Sequence, residues 1–487
     1  MFYRVAEIVK HLNLDLEFIS SGNCVDCSPV TGEQIASFPL SDADRIRTII
    51  ARSKRAFEEW RLVEPNERSA LLRLFGEELR ANKEELARLV VIETGKIYAA
   101  ALKEVERSIE ICDMVADVQH SMSGFSIPTQ GRHLVVSEVW QPLGPVVVIT
   151  SFNFPLRVWV LNALLALVCG NSVIWRPSRK ATLTAFAVNS LLRRAKARSS
   201  ANCPEYLSQI VICNHEDAVV LAESADVPLL CATGSPVMAR RLQSKVGQRL
   251  GRSILSVGGN NAAIVAPSAD MNLAIAQVVN STIADAGQRC TSLHRLFCHS
   301  SVYDEFVGRL KEAFNAVYVN SPFERQSQLG PLIDKEAFDI MRLQLEQAKL
   351  EGGIVSGGQR MDIGLYKEAY YVQPAMVEMP KQTGTVKTEL LAPVLYVMRY
   401  DDLKEAVGEI NEFSQTLLTA IFSNDLKEIG YFCSMDGVQS SAAIVNAGMV
   451  GYDMVAMFTS GKDARSFATD VWRPFMQSKT CLTNYNF

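Results

Sequence analysis

The 487 residues contain no apolar stretch long enough to cross a bilayer. The longest such run lies within Val158–Cys169, whereas a spanning helix needs about 20 residues. Surplus positive charge is missing too: 49 Lys and Arg stand against 53 Asp and Glu, a net charge of −4. Nucleic acids and anionic membranes both select basic surfaces, so neither is an expected partner. The opening residues MFYRVAEIVKHLNLDLEF break every apolar stretch with acids and polar groups, so no signal peptide is expected and the location expected is cytoplasmic. The 11 cysteines, an odd number spread over the chain, read as reduced thiols rather than a disulfide framework. Cys24 and Cys27 form a C-x-x-C, but no second pair follows at zinc-finger spacing. Cys290, His294, Cys298 and His299 fall on or beside a strand-like run. Its alternating faces keep the four from converging on one ion, and no metal site is expected.

What is present is enough apolar sequence for a large core. Hydrophobic residues make up 48% and charged residues 21%, which excludes a disordered chain. Asp42–Trp60 and Asn66–Gly95 carry apolar residues at helical spacing. Gly144–Thr150 and Asn171–Arg176 read as buried strands, and Phe154–Cys169 and Ala181–Arg198 as helices. Gln209–Cys213 and Leu229–Thr233 are strand-like again. This alternation predicts a parallel sheet with crossover helices. The pattern restarts with strand Asn261–Pro267, helix Met271–Ala286, strand His294–His299 and helix Val302–Val317. Two α/β lobes imply a cleft between them. His133–Trp140 and Lys479–Tyr485 look like lone strands, able to pair with each other or with another subunit.

Two segments carry candidate chemistry. Thr233-Gly234-Ser235-Pro236 follows a strand and opens a helix, where backbone amides can hold a pyrophosphate, although a plain strand-to-helix turn has the same pattern. Gly287-Gln288-Arg289-Cys290-Thr291 lies between a helix and a strand, and Arg289 beside Cys290 favours the thiolate, the reactive form.

With these in place the chain resembles the aldehyde dehydrogenase superfamily over nearly its whole length. The resemblance rests on Glu93-Thr94-Gly95-Lys96, Ser151-Phe152-Asn153-Phe154-Pro155, Trp175-Arg176-Pro177-Ser178 and Thr233-Gly234-Ser235. Gly258-Gly259-Asn260-Asn261, Gly287-Gln288-Arg289-Cys290 and Glu389 through Ala392-Pro393 follow in the family's order. The branch it resembles is the α-aminoadipic semialdehyde (piperideine-6-carboxylate) dehydrogenases, through Arg252-Ser253, Cys169-Gly170-Asn171 and Asn162.

The resemblance implies an α/β, aldehyde dehydrogenase-like fold of two Rossmann-type lobes and a small β oligomerisation flap. Residues 1–118 and 141–254 would form the nucleotide-binding lobe, 255–445 the catalytic lobe, and 119–140 with 466–487 the flap of a homodimer or homotetramer. It implies NAD or NADP as cofactor and a small-molecule aldehyde as substrate. Cys290 would be the nucleophile. Asn153 and the Cys290 N–H would hold the oxyanion. Ser151, Phe152, Arg176, Ser178, Arg179, Gly234, Ser235, Glu389 and Leu391 would line the cofactor site, with Glu389 on the nicotinamide ribose and Arg176 where relatives have a lysine. Phe154, Arg289 and Thr291 would meet the substrate.

The chain also departs from the family pattern. Ser256 stands where the family has its general-base glutamate, and a serine is no usable base near neutrality without another base. Thiol activation and thioester hydrolysis are both expected to suffer, with a loss of about 10²–10⁴-fold. Ala239 replaces a glycine after the TGS turn, and Leu391 replaces a phenylalanine. Arg179 replaces an acidic ribose ligand, a change that can favour a 2′-phosphate. Arg107 falls near an acidic substrate contact of the branch, and Tyr452–Arg465 replaces a glycine-rich stretch. The aminoadipate substrate is therefore not transferred. Three readings remain open: an NAD(P)-dependent dehydrogenase with impaired deacylation, a CoA-acylating relative, and a catalytically degenerate protein with a structural role.

Overall fold

The computed structural model describes residues 2–14, 19–128, 133–363, 366–413, 416–451 and 471–485. An N-terminal hairpin of β1 (Cys24–Cys27) and β2 (Gln34–Phe38) packs beside a set of helices. Cys24 and Cys27 lie on β1, and burial alternates along it, Cys24 inward and Cys27 outward. The helix Ala43–Trp60 buries Ile46, Ile49, Ile50, Ala56, Phe57 and Trp60, the stripe its spacing predicts. The helical stretch expected over 66–95 is two helices, Pro65–Ala81 and Lys83–Thr94. Asn82 separates them, because its side-chain amide donates to the Glu78 carbonyl at 2.7 Å and competes with the helical bond.

The short strand β3 (Ser126–Pro128) pairs with β4 (Leu134–Pro142). Five parallel strands follow: β5 (Val146–Ile149), β6 (Val173–Arg176), β7 (Ser208–Ile210), β8 (Leu229–Gly234) and β9 (Arg252–Val257). Their spatial order is β7-β6-β5-β8-β9. The order therefore reverses at β5, which puts a ligand crevice at the carboxyl ends of β5, β6 and β8. The helix after β5 runs Arg157–Val168 and is buried all round except at Asn162. It starts later than Phe154 because the Glu104 carboxylate accepts the Leu156 and Arg157 N–H groups at 3.1 and 3.2 Å and fixes its first turn there.

The second sheet holds β10 (Asn261–Val265), β11 (Leu293–His299), β12 (Ile354–Ser356), β13 (Ala375–Glu378), β14 (Val394–Tyr400), β15 (Leu418–Phe422) and β16 (Ala442–Val445). Its order is β12-β13-β14-β11-β10-β15-β16, parallel except for β12. Finally β17 (Met476–Asn484) pairs antiparallel along the whole of β4, so the two lone strands of the sequence meet each other.

The boundary expected at 254/255 falls inside β9, which hydrogen-bonds to β8 through Val257. Ser256 thus belongs to the first sheet. Only Gly258, Gly259 and Asn260 separate β9 from β10, so the carboxyl edge of the first sheet abuts the amino edge of the second. The helix expected over Met271–Ala286 ends at Ile283, because Asp285, Ala286 and Gly287 all take left-handed backbone with φ of 50°, 57° and 68°. The departure at Tyr452–Arg465 lies outside the described residues, as does part of the 466–487 flap segment. Among the described residues no helix is long and apolar enough to cross a membrane.

Candidate active site

Where the two sheets abut there is a cavity of 410 Å³. Ser151, Phe152, Asn153 and Phe154 reach it from the turn after β5. Thr233, Gly234 and Ser235 reach it from the end of β8, Ser256 from β9 and Gly258 from the connection just after it. The second lobe contributes Gln288, Cys290 and Thr291 ahead of β11, and Glu389 and Leu391 ahead of β14. Four positions singled out in the sequence lie off this lining. Arg176, Ser178 and Arg179 sit at and beyond the end of β6, and Arg289 lines an adjoining cavity of 230 Å³.

The Cys290 loop is held from three sides. The left-handed run 285–287 turns the chain sharply, and at Gly287 a Cβ would collide with the Ala392 carbonyl, so only glycine fits. Asn261 donates to the Cys290 and Ser292 carbonyls at 2.8 and 2.9 Å, and its oxygen accepts the Leu417 and Leu418 N–H groups. Asn153 donates to the Gln288 carbonyl at 2.6 Å and accepts from the Ser151 hydroxyl at 2.6 Å. An amide nitrogen carries two hydrogens, so one N–H beyond the Gln288 bond is available to an oxyanion.

Charge around the cysteine is organised about Phe154. Lys96 Nζ, the Arg157 guanidinium and the Arg289 guanidinium lie 4.2, 4.1 and 5.3 Å from its ring centre. Lys96 is buried and pairs with Glu104 at 2.6 Å and Asp285 at 3.6 Å, while donating to the Asn153 carbonyl at 2.6 Å. Arg289 Nε donates to Asp285 at 2.8 Å, so much of the positive field expected from Arg289 is answered by a carboxylate. Burial pushes the Asp285 carboxyl up, but Arg289 and Lys96 outweigh it and hold the group below the ordinary aspartate value.

Glu389 is in the opposite state. Burial pushes its carboxyl up to about 7, against one favourable bond from the Gly259 N–H. The carboxylate rests on Gly258, where a Cβ would collide with both of its oxygens. A partly buried carboxyl with a backbone N–H as donor, set over a glycine cradle, fits a partner that brings hydroxyls, such as a ribose. The helix Pro236–Gln248 starts at the same cavity, with the Ser235 hydroxyl capping the Met238 N–H at 3.3 Å, and its N-terminus suits a pyrophosphate.

Sequence reasoning missed two features. Lys180 lines the cavity from the first lobe and pairs with Asp334, and at 3.9 Å with Glu336, at the start of a second-lobe helix. Glu104 both caps the helix Arg157–Val168 and pairs with Lys96. Lys96 was visible in the Glu93–Lys96 motif, but nothing local announced Glu104 or Asp334.

The aldehyde dehydrogenase family matches residues 19–480, and the chain belongs to that family. It is 33% identical over 462 residues to aldehyde dehydrogenase family 7 member A1 of Pisum sativum, covering 94% of this chain and 90% of that one. It is 31% identical over 463 residues to α-aminoadipic semialdehyde dehydrogenase of Bos taurus, covering 94% and 85%. Its fold matches the solved glyceraldehyde-3-phosphate dehydrogenase of Methanocaldococcus jannaschii complexed with NADP, with a TM-score of 0.86 at 24% identity over 94% and 99% of the two chains.

Proposed function

We propose that the chain oxidises an aldehyde with NAD or NADP through a covalent Cys290 intermediate, and that its deacylation is slow. The observation that carries this is one cavity lined by Cys290, Asn153 and Glu389 but with Ser256 at the base position. The Cys290 thiolate attacks the aldehyde carbon and forms a C–S bond. The resulting oxyanion is met by the free N–H of Asn153 and the Cys290 backbone N–H. Glu389 and the start of the helix Pro236–Gln248 would hold the dinucleotide, whose nicotinamide supplies the acceptor for the hydride leaving the thiohemiacetal carbon. The product on the enzyme is a thioester. Water then adds to its carbonyl, the C–S bond breaks and the acid departs, with no carboxylate at position 256 to take the water's proton.

The adjoining 230 Å³ cavity favours a semialdehyde over a simple aldehyde. It shares Phe154 and Arg157 with the main cavity and adds Lys103, Arg107 and Arg289 against Glu104 and Asp285. A carboxylate at the substrate's far end suits that excess of cations. The sheet of β3, β4 and β17, with Val139, Leu482 and Tyr485 exposed on it, suits a homodimer or homotetramer.

The test is a rapid-mixing absorbance trace for NAD(P)H, with intact mass read on the same samples across a panel of semialdehydes and simple aldehydes. A burst of one equivalent with a covalent adduct, followed by slow turnover, is expected, and Cys290→Ala should abolish both. A panel with no reduced cofactor at all would overturn the reading in favour of a structural role. Turnover that requires coenzyme A would assign the thioester to acyl transfer instead.

A further inference from the structure

The oxyanion role given to Asn153 depends on how its side-chain amide is turned. The two ends of a carboxamide have nearly the same shape and opposite chemistry: the oxygen accepts and the nitrogen donates. The torsion that turns them is soft, with a broad and roughly two-fold preference. An oxyanion therefore meets a donor only if other groups fix the plane of the amide. At one end, Asn153 Nδ2 lies 2.6 Å from the Gln288 carbonyl. That oxygen only accepts, so the nitrogen must face it. Gln288 is itself anchored. Its backbone N–H donates to the Asp285 carbonyl at 3.1 Å and its side-chain nitrogen to the same carbonyl at 3.2 Å, while its side-chain oxygen accepts the Ile333 N–H at 2.9 Å. At the other end, the Ser151 hydroxyl lies 2.6 Å from Asn153 Oδ1. With the amide oxygen facing it, that hydroxyl must donate. The main chain of Asn153 is held separately, by Lys96 Nζ on its carbonyl at 2.6 Å.

A single bond at Gln288 leaves the amide free to swing about it, and a second bond at the opposite end fixes the plane. The second bond also strengthens the N–H groups as donors, because linked hydrogen bonds polarise one another. We propose that Ser151 is a positioning residue for the oxyanion: its hydroxyl holds the Asn153 amide so that the N–H not used by Gln288 faces the reacting carbonyl oxygen. This rests on the dehydrogenase reading above and adds a residue to it. Ser151, Asn153, Gln288 and Cys290 line one cavity, so each group in the chain of bonds borders the place where the thiolate attacks. An alanine at 151 would open this end of the amide to cavity water, which offers donors and acceptors alike and fixes neither. The cofactor contact that the resemblance implies for Ser151 is a different role. It predicts a different loss, weaker dinucleotide binding rather than slower attack.

The experiment reads attack by Cys290 in the full chain with no dinucleotide added. p-Nitrophenyl acetate supplies the acyl group. The thiolate adds to the ester carbonyl, the oxyanion collapses, the C–O bond to nitrophenolate breaks with its electron pair on the leaving oxygen, and a thioester remains. Stopped-flow absorbance follows nitrophenolate and intact mass counts acyl groups, with Cys290→Ala as the blank. Iodoacetamide is the control, because the thiolate displaces iodide at a saturated carbon and no oxyanion forms. Asn153→Ala should slow acylation by about 10²–10³-fold. Ser151→Ala should slow it by at least about tenfold, a part of that loss. Its alkylation rate and its calorimetric affinity for NAD and NADP should stay as in the wild type. Ser151→Thr keeps the hydroxyl and should recover most of the acylation rate. Acylation of Ser151→Ala at the wild-type rate overturns the inference. A loss shared equally by acylation and alkylation also overturns it, since that marks a general disturbance of the Cys290 loop. A loss confined to dinucleotide affinity does the same and returns Ser151 to the cofactor. If the wild-type chain shows the Ser151 dependence but reduces no dinucleotide with any aldehyde, the dehydrogenase reading falls and the positioning of Asn153 stands.

Discussion

Replacing Ser256 by glutamate should restore the missing base. Ser256 lies on β9 and lines the 410 Å³ cavity that Cys290 enters from the other lobe, and the change adds one methylene and puts a carboxylate in place of the hydroxyl. General-base assistance is worth about 10²–10⁴-fold, or about 3–5 kcal/mol of barrier. A second consequence comes from the neighbouring acid. The Glu389 carboxyl rests on Gly258, two residues from position 256, and burial pushes it up to about 7. A second carboxylate lining the same cavity disfavours ionising both at once. The pair in Ser256→Glu should therefore titrate in two steps, the upper one above that of Glu389 alone.

The assay is stopped-flow absorbance with burst and steady-state phases resolved. Both proteins should show a burst near one equivalent, since acyl-enzyme formation precedes the step at issue. The steady-state phase of Ser256→Glu should rise by about 10²–10⁴-fold, with the acid limb moved to higher pH by the coupling, because the base acts only when ionised. If the burst persists while the steady state stays unchanged, proton removal from water is not what limits this chain, and the role given to position 256 is refuted.

Lys96→Met should cost about 3–5 kcal/mol in a denaturant titration, because it leaves Glu104 and Asp285 buried without their shared cation. Adding Glu104→Gln to that variant should recover part of the loss. Asp26→Asn tests a second buried pair. Burial and the charge of Glu93 hold the Asp26 carboxyl well above the ordinary aspartate value, and burial raises Glu93 as well. Folding thus favours the protonated acid, so this stability is present below the unfolded pKa, near 4, and is lost as pH rises through the folded value. The native protein should lose melting temperature across that window, and Asp26→Asn should flatten the dependence; an unchanged slope would place the titration elsewhere.

How much of this was legible depends on how local each feature is. The runs Val146–Ile149 and Val173–Arg176 announce themselves as strands because both faces of a parallel sheet are covered, so their side chains are apolar throughout. The Cys290 loop, the Thr233–Ser235 turn and Asn153 were equally visible, each being a short motif between regular elements. Which sheet a strand joins is a different matter. Arg252–Val257 and Asn261–Val265 are separated by three residues, yet one completes the first sheet and the other opens the second. Nothing in their own side chains states that choice, so the expected boundary cut through β9. Asn82 breaks a helix through one side-chain bond that periodicity averages away.

The state of Glu389 shows the same limit at the site itself. Its neighbours Leu390, Leu391 and Ala392 give no sign of a carboxyl that titrates near neutrality. That property comes from Gly258 and Gly259, far away in the sequence, which let the backbone approach closely and offer one N–H in place of water. It makes a carboxyl that changes charge in the physiological range sit in the same cavity as a cysteine without its usual base. A group of that kind responds to whatever is placed beside it. For that reason Ser256→Glu tests two things at once: a gain in turnover reports on the missing base, and the displaced acid limb reports on whether Glu389 and position 256 share one electrostatic environment.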